Sequence, residues 1–123
     1  MSFWKHAQED PGYIAVIDPD GTEHAAGDVL ARANQVVHAL RSLGMRKGDA
    51  VAAVLPNGSN PFHLYLAALQ AGFYYVPINY RLSPVEIAYI INDAEAKVLV
   101  THERYAETIA AAADEAGVPA EAR

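Results

Sequence analysis

The stretch AVAAVLPNGSNPFHLYLAALQAGFYYVPINYRL, residues 50–82, decides how this chain folds. It opens with six apolar residues, Ala50 to Leu55, and breaks at Pro56-Asn57-Gly58. A helical pattern follows from about Asn60 to Ala71 and stops at Gly72. A second apolar run, Phe73 to Val76, ends in Pro77. This order predicts strand, turn, helix, strand, which is one βαβ unit. Both strands lack polar alternation, so they are expected to be buried on both faces in a parallel sheet covered by helices.

Working upstream, Gly27 to Leu43 reads as a helix. Val29, Leu30, Ala33, Val36, Val37, Leu40 and Leu43 fall on one helical face. Gly44 is the expected stop, with Arg41, Arg46 and Lys47 near the negative end of the dipole. Ala25-Ala26-Gly27 offers no side-chain acceptor for a cap. Before it, Asp18-Pro19-Asp20-Gly21 is a turn between two short arms, Tyr13–Ile17 and Thr22–Ala25, which predicts a hairpin. Residues 1–11 form a lead-in, with Ser2 capping a helical turn closed by Pro11.

Working downstream, Ile78–Leu82 is too short and polar to be an element. Ser83-Pro84-Val85-Glu86 is a capping box with proline at the first helical position, so a helix runs to about Asp93. Lys97–Val100 is a third strand. A last, alanine-rich helix covers about Glu103 to Ala116 and closes at Gly117 and Pro119. The tail, AEAR, carries no closing element. The expected fold is α/β: an N-terminal hairpin and helix followed by βαβαβα, with a mostly parallel sheet covered by helices.

Composition narrows the function classes. The 123 residues fit one domain large enough for a real core. No cysteine is present, which removes disulfides, thiolate nucleophiles and cysteine metal sites. The formal charge of −6 and a single tight basic pair, Arg46-Lys47, argue against nucleic-acid binding. The N-terminus has no apolar signal region, and the longest apolar runs fall far short of the ~20 residues that span a bilayer. A cytoplasmic, soluble protein without a transmembrane segment is expected.

A self-sufficient active site is not visible. No GxGxxG or Walker A spacing occurs among the eight glycines. The histidines at 6, 24, 38, 63 and 102 form no HxH or HxxxH pair, none lies near a carboxylate at ligand spacing, and none is expected to ligate a metal. The acidic pairs Glu9-Asp10, Asp18/Asp20, Asp93/Glu95 and Asp114-Glu115 sit at turns and helix ends, where solvated charge is the simple explanation. Tyr65, Tyr74, Tyr75 and Tyr80 are expected to pack in the core and at its rim. In open α/β sheets, ligands bind beyond the carboxyl ends of the strands. Two loops qualify: Pro56–Asn60 and Ile78–Ser83. The second carries Asn79 and Arg81, an amide and a cation able to grip phosphate or carboxylate.

Three pieces carry a resemblance: LARANQVVHALRSLGMRKGD (30–49), VAAVLPNG (51–58) and LYLAALQAGFYYVPINYRLSPVEIAYIINDAEAKVLV (64–100). Together they resemble the N-terminal portion of the AMP-forming acyl-CoA synthetases of the adenylate-forming superfamily, most closely the fatty-acyl branch. Aryl-CoA ligases and nonribosomal adenylation domains share much of this text. The resemblance implies an ATP-dependent ligase that converts a carboxylic acid to an acyl-adenylate, with Mg²⁺ assisting, and transfers the acyl group to CoA. It implies that residues 1–123 are the N-terminal part of an AMP-binding domain. The phosphate loop, adenine contacts, acyl pocket and small C-terminal domain of the family lie beyond this stretch. No catalytic and no metal residue is therefore carried over, and the piece alone is expected to be inactive. Asn79 and Arg81 map to a loop lying toward the nucleotide end of CoA in some members. The helix-capping Ser or Thr usual in the family is replaced by Ala25 or Ala26, a loss of about 1 kcal/mol. The alternative is a non-catalytic module that associates through an unpaired sheet edge. A free-standing flavodoxin-like nucleotide domain lacks its phosphate turn.

Overall fold

The computed structural model describes residues 2–123. The hydroxyl of Ser2 accepts from the Lys5 amide and starts α1 (Phe3–Glu9). Then β1 (Ile14–Ile17) and β2 (Glu23–Ala25) form the antiparallel hairpin. Helix α2 (Ala26–Ser42) follows directly. Its uncapped start is real: Ala25 supplies no side-chain acceptor. Backbone carbonyls of the lead-in take over, Tyr13 O receiving the Ala26 amide at 2.6 Å and Pro11 O the Gly27 amide at 3.0 Å.

The remainder is the expected alternation: β3 (Ala50–Val54), α3 (Ser59–Ala71), β4 (Tyr74–Pro77), α4 (Pro84–Asp93), β5 (Ala96–Thr101) and α5 (Ala106–Ala116). The three strands are parallel, in the order β4–β3–β5. Every residue of β3 is buried. Its side chains alternate between two cores. Val51 and Ala53 join Val98 under α2 and α3, packing against Leu40, Leu64 and Ala67. Ala52 and Val54 join Leu99 under α4 and α5, against Ile87, Ile91 and Ile109. A third, smaller core lies beyond the α2–α3 pair. There Val29, Ala33 and Leu66 meet Phe3, Trp4, Val16 and Phe62.

Several local signals set these boundaries. Ser83 and Glu86 form the reciprocal capping box, with Pro84 at the first position of α4. Gly72 ends α3 in the left-handed conformation (φ 74°). A Cβ there would lie 2.8 Å from Lys47 Cγ, so both backbone and space call for glycine.

Other expectations need correction. Strand β4 is an edge strand, not a doubly buried one: Tyr74 is 69% exposed. Its Pro77 suits an edge, where no amide is missed on the open side. Leu43, assigned to the buried face of α2, is exposed because it lies past the helix end, beside a groove left open between α2 and β5. The final residues do close on the fold: Ala122 is buried, and Arg123 pairs with Asp114 at 2.8 Å. The last helix is preceded by a 3-10 turn at Glu103–Tyr105, started by His102 Nδ1 accepting from the Arg104 amide. No helix among the described residues is long and apolar enough to cross a membrane.

Candidate functional site

Because β3, β4 and β5 are parallel, the loops that follow them leave one end of the sheet together. The loop after β4 carries Asn79 and Arg81. Ile78 is buried and donates its amide to Ala53 O at 2.8 Å, which extends the sheet contact one residue past β4. Asn79 Oδ1 then accepts the Arg81 amide at 2.9 Å, a local turn that fixes the backbone between them. The capping box at Ser83 anchors the other end. The Glu86 carboxyl is held below its ordinary pKa, chiefly by the Ser83 amide, so it stays an acceptor.

Arg81 is exposed, and its guanidinium carbon lies 5.7 Å from the centre of the Tyr80 ring, within cation–π range. Among the described residues no carboxylate pairs with it. Tyr80 in turn stacks on Tyr105, with ring centres 5.0 Å apart and planes at 12°. Of the four tyrosines expected in the core or rim, Tyr75 is half-buried against Tyr65, Tyr74 points into solvent, and Tyr80 belongs to this stack. Tyr105, on the loop after β5, was not singled out by the sequence. Its pairing with Tyr80 joins two segments that only the sheet brings together.

The loop after β3 is held quite differently. Asp18, in the hairpin turn, reaches across to the start of α3. Its carboxylate accepts the Ser59 amide at 2.7 Å and the Ser59 hydroxyl at 3.3 Å. The helix has Gly58 at its N-cap, which offers no side chain, so Asp18 supplies the missing cap. His24 Nε2 donates to the same carboxylate at 2.5 Å. The His24 hydrogen bond is the main reason the Asp18 carboxyl sits below its ordinary pKa, with the Ser59 bonds adding to it against some desolvation. These contacts correct one expectation: Asp18 is not merely solvated charge. His63 lies behind them, its ring 6.1 Å from that of His24. It is buried, its Nε2 has no hydrogen-bond partner, and burial lowers its pKa. A lowered pKa keeps the imidazole neutral there.

This cluster is a structural clasp. Its carboxylate already accepts three hydrogen bonds, from the Ser59 amide, the Ser59 hydroxyl and His24, and no Ser–His hydrogen bond of the nucleophilic kind is formed. Among the described residues no three His, Asp or Glu side chains converge to hold a metal, so none is assigned to Mg²⁺. The loop after β4 differs in leaving a cation, Arg81, exposed and without a carboxylate partner among the described residues.

Residues 3–122 match the family model described as AMP-binding enzyme. The chain belongs to this family. It is 36% identical over 93 residues to a feruloyl-CoA synthase of Amycolatopsis, covering 76% of this chain and 19% of that protein. A fatty acyl CoA synthetase structure from Mycobacterium tuberculosis superposes with a TM-score of 0.86 at 30% identity, covering 97% of this chain and 24% of the other. The N-terminal domain of FACL13 from the same organism superposes at 0.84 and 31% identity, covering 89% and 28%. The chain thus spans about a fifth of the length of the curated relatives it matches.

Proposed function

We propose that this chain is the N-terminal part of the adenylate-forming domain of an ATP-dependent acid–CoA ligase. The complete enzyme would join a carboxylic acid, a fatty acid in the reading favoured by the sequence, to AMP with loss of pyrophosphate. It would then transfer the acyl group to the thiol of CoA. The observation that carries this reading is the family match across residues 3–122, which includes the Asn79–Arg81 loop. The role of this portion is to hold a sheet and present that loop. Arg81 serves the CoA side: it is a cation on a fixed backbone, without a carboxylate partner, at the ligand-facing end of parallel strands. Asn79 shapes the turn.

Carboxylate-dependent exchange of pyrophosphate into ATP tests the division of labour. The 123-residue chain is expected to give none; exchange by it alone overturns the proposal that the missing segments are needed. In the complete ligase, Arg81→Ala should raise KM for CoA by about tenfold, the worth of a charged hydrogen bond, while exchange stays unchanged.

A second reading is favoured by the open flanks of the sheet. Both β4 and β5 pair on one side only, and Leu43, Leu55 and Val100 line the groove beside β5. The chain would then act as a non-catalytic module that associates through this edge. Light scattering separates the two: a stable dimer or captured partner favours the module, a compact monomer disfavours it.

A further inference from the structure

We infer that Tyr105 is a positioning residue for Arg81, acting through the ring of Tyr80. The inference rests on the CoA-side reading of Arg81 given above and names what holds that side chain in place.

A solvent-exposed arginine ordinarily loses much rotamer freedom when it binds an anion. Arg81 is restrained beforehand in two ways. The Asn79 side chain fixes its backbone amide. The Tyr80 ring gives its guanidinium a face, 5.7 Å away. That face has to stay still, and Tyr80 itself is 43% exposed. Its support is Tyr105, which lies parallel to it at 5.0 Å. Tyr105 is half-buried and packs against the core formed by α4, α5 and the inner face of the sheet. The 3-10 turn at Glu103–Tyr105 fixes its backbone, with the Tyr105 amide donating to His102 O at 2.9 Å. The line of support runs from core to Tyr105, to Tyr80, to Arg81. It connects the loop after β5 to the loop after β4 through two rings, with no hydrogen bond between the rings. A guanidinium held this way presents its outer edge to a phosphate-bearing ligand, and the stacking face is what Tyr105 contributes, not its hydroxyl.

The test uses the 123-residue chain with CoA as the probe. Tyr105→Phe keeps the stacking face, and Tyr105→Leu keeps an apolar side chain but removes the face. Thermal unfolding and circular dichroism establish that each variant is folded. In the chain without ligand, the Arg81 side-chain NMR signals should carry the ring-current shift of Tyr80. That shift should persist in Tyr105→Phe and relax toward the values of a free arginine in Tyr105→Leu. The CoA titration should follow: Tyr105→Phe binds as the parent does, and Tyr105→Leu binds about two- to fivefold more weakly, the worth of a surface cation–π contact. Unchanged Arg81 shifts in Tyr105→Leu overturn the inference, as does equal weakening by Phe and Leu. Absence of any CoA response in the parent chain counts against the CoA reading instead, and the ring-current comparison still decides whether Tyr105 positions the guanidinium.

Discussion

The loops that follow β3 and β4 leave the same end of the parallel sheet, and they are secured by opposite means. The first is tied from outside: Asp18, 41 residues earlier in the chain, caps α3 and lies against Gly58. The second is tied from within, by Asn79 and by the Ser83–Glu86 box, and it leaves a cation facing solvent. A carboxylate that already accepts from Ser59 and His24 has little left to offer a ligand. An arginine with only a ring for company still has its donors to give. The difference separates polarity already engaged within the fold from polarity left exposed at one end of one sheet.

The comparison breaks most sharply at Asp18. Asp18→Ala should lower the melting temperature more than any other change in either loop, since it strips the cap from α3 and leaves His24 beside the buried His63 without an acceptor. Acid should act on the same cluster in two stages. The folded pKa of His63 is lowered from 6.5, so its contribution is present above that value and is lost as pH falls below it. The folded pKa of Asp18 is lowered from 3.8, so its contribution is full above that value and is lost on further acidification. Melting curves across pH should show both stages, and His63→Leu should flatten the first.

Next in size is Gly58→Ala. Gly58 has φ 151° and ψ −163°, a region kept for glycine, and a Cβ would lie 3.1 Å from Asp18 Oδ1. The expected cost is about 2 kcal/mol by urea denaturation. Ser83→Ala, in the second loop, should cost about 1 kcal/mol, because it removes half of a reciprocal cap. Arg81→Ala should change stability by less than about 1 kcal/mol, since the fold loses only its surface cation–π contact with Tyr80. A large loss of stability in Arg81→Ala would erase the distinction between the loops.

The two loops also differ in how readable they were. The hydrogen bonds that shape the turn and cap of the second loop lie within a few residues: Asn79 with Arg81, Ser83 with Glu86. Such local patterns are written into the sequence, and the α4 cap and the glycine ends of α3 and α5 stand where they were expected. The clasp on the first loop depends on the hairpin folding over α3, and no spacing between Asp18 and Ser59 announces that. The Tyr80–Tyr105 stack was hidden for the same reason. Likewise, apolar runs identify β4 and β5 as strands, but the order β4–β3–β5, which makes both of them edges, is a property of the assembled sheet.

That order has a consequence for the way the molecule breathes. Strand β3 is bonded on both sides and covered on both faces, with Ala50, Ala52 and Ala53 giving the helices close access to the backbone. Either neighbour can peel away through its outer side without disturbing the other, while β3 can be reached only after one of them has gone. Solvent deuterons therefore enter the sheet from its flanks inward, and the amides of residues 51–54 are the last record of the native state to be erased.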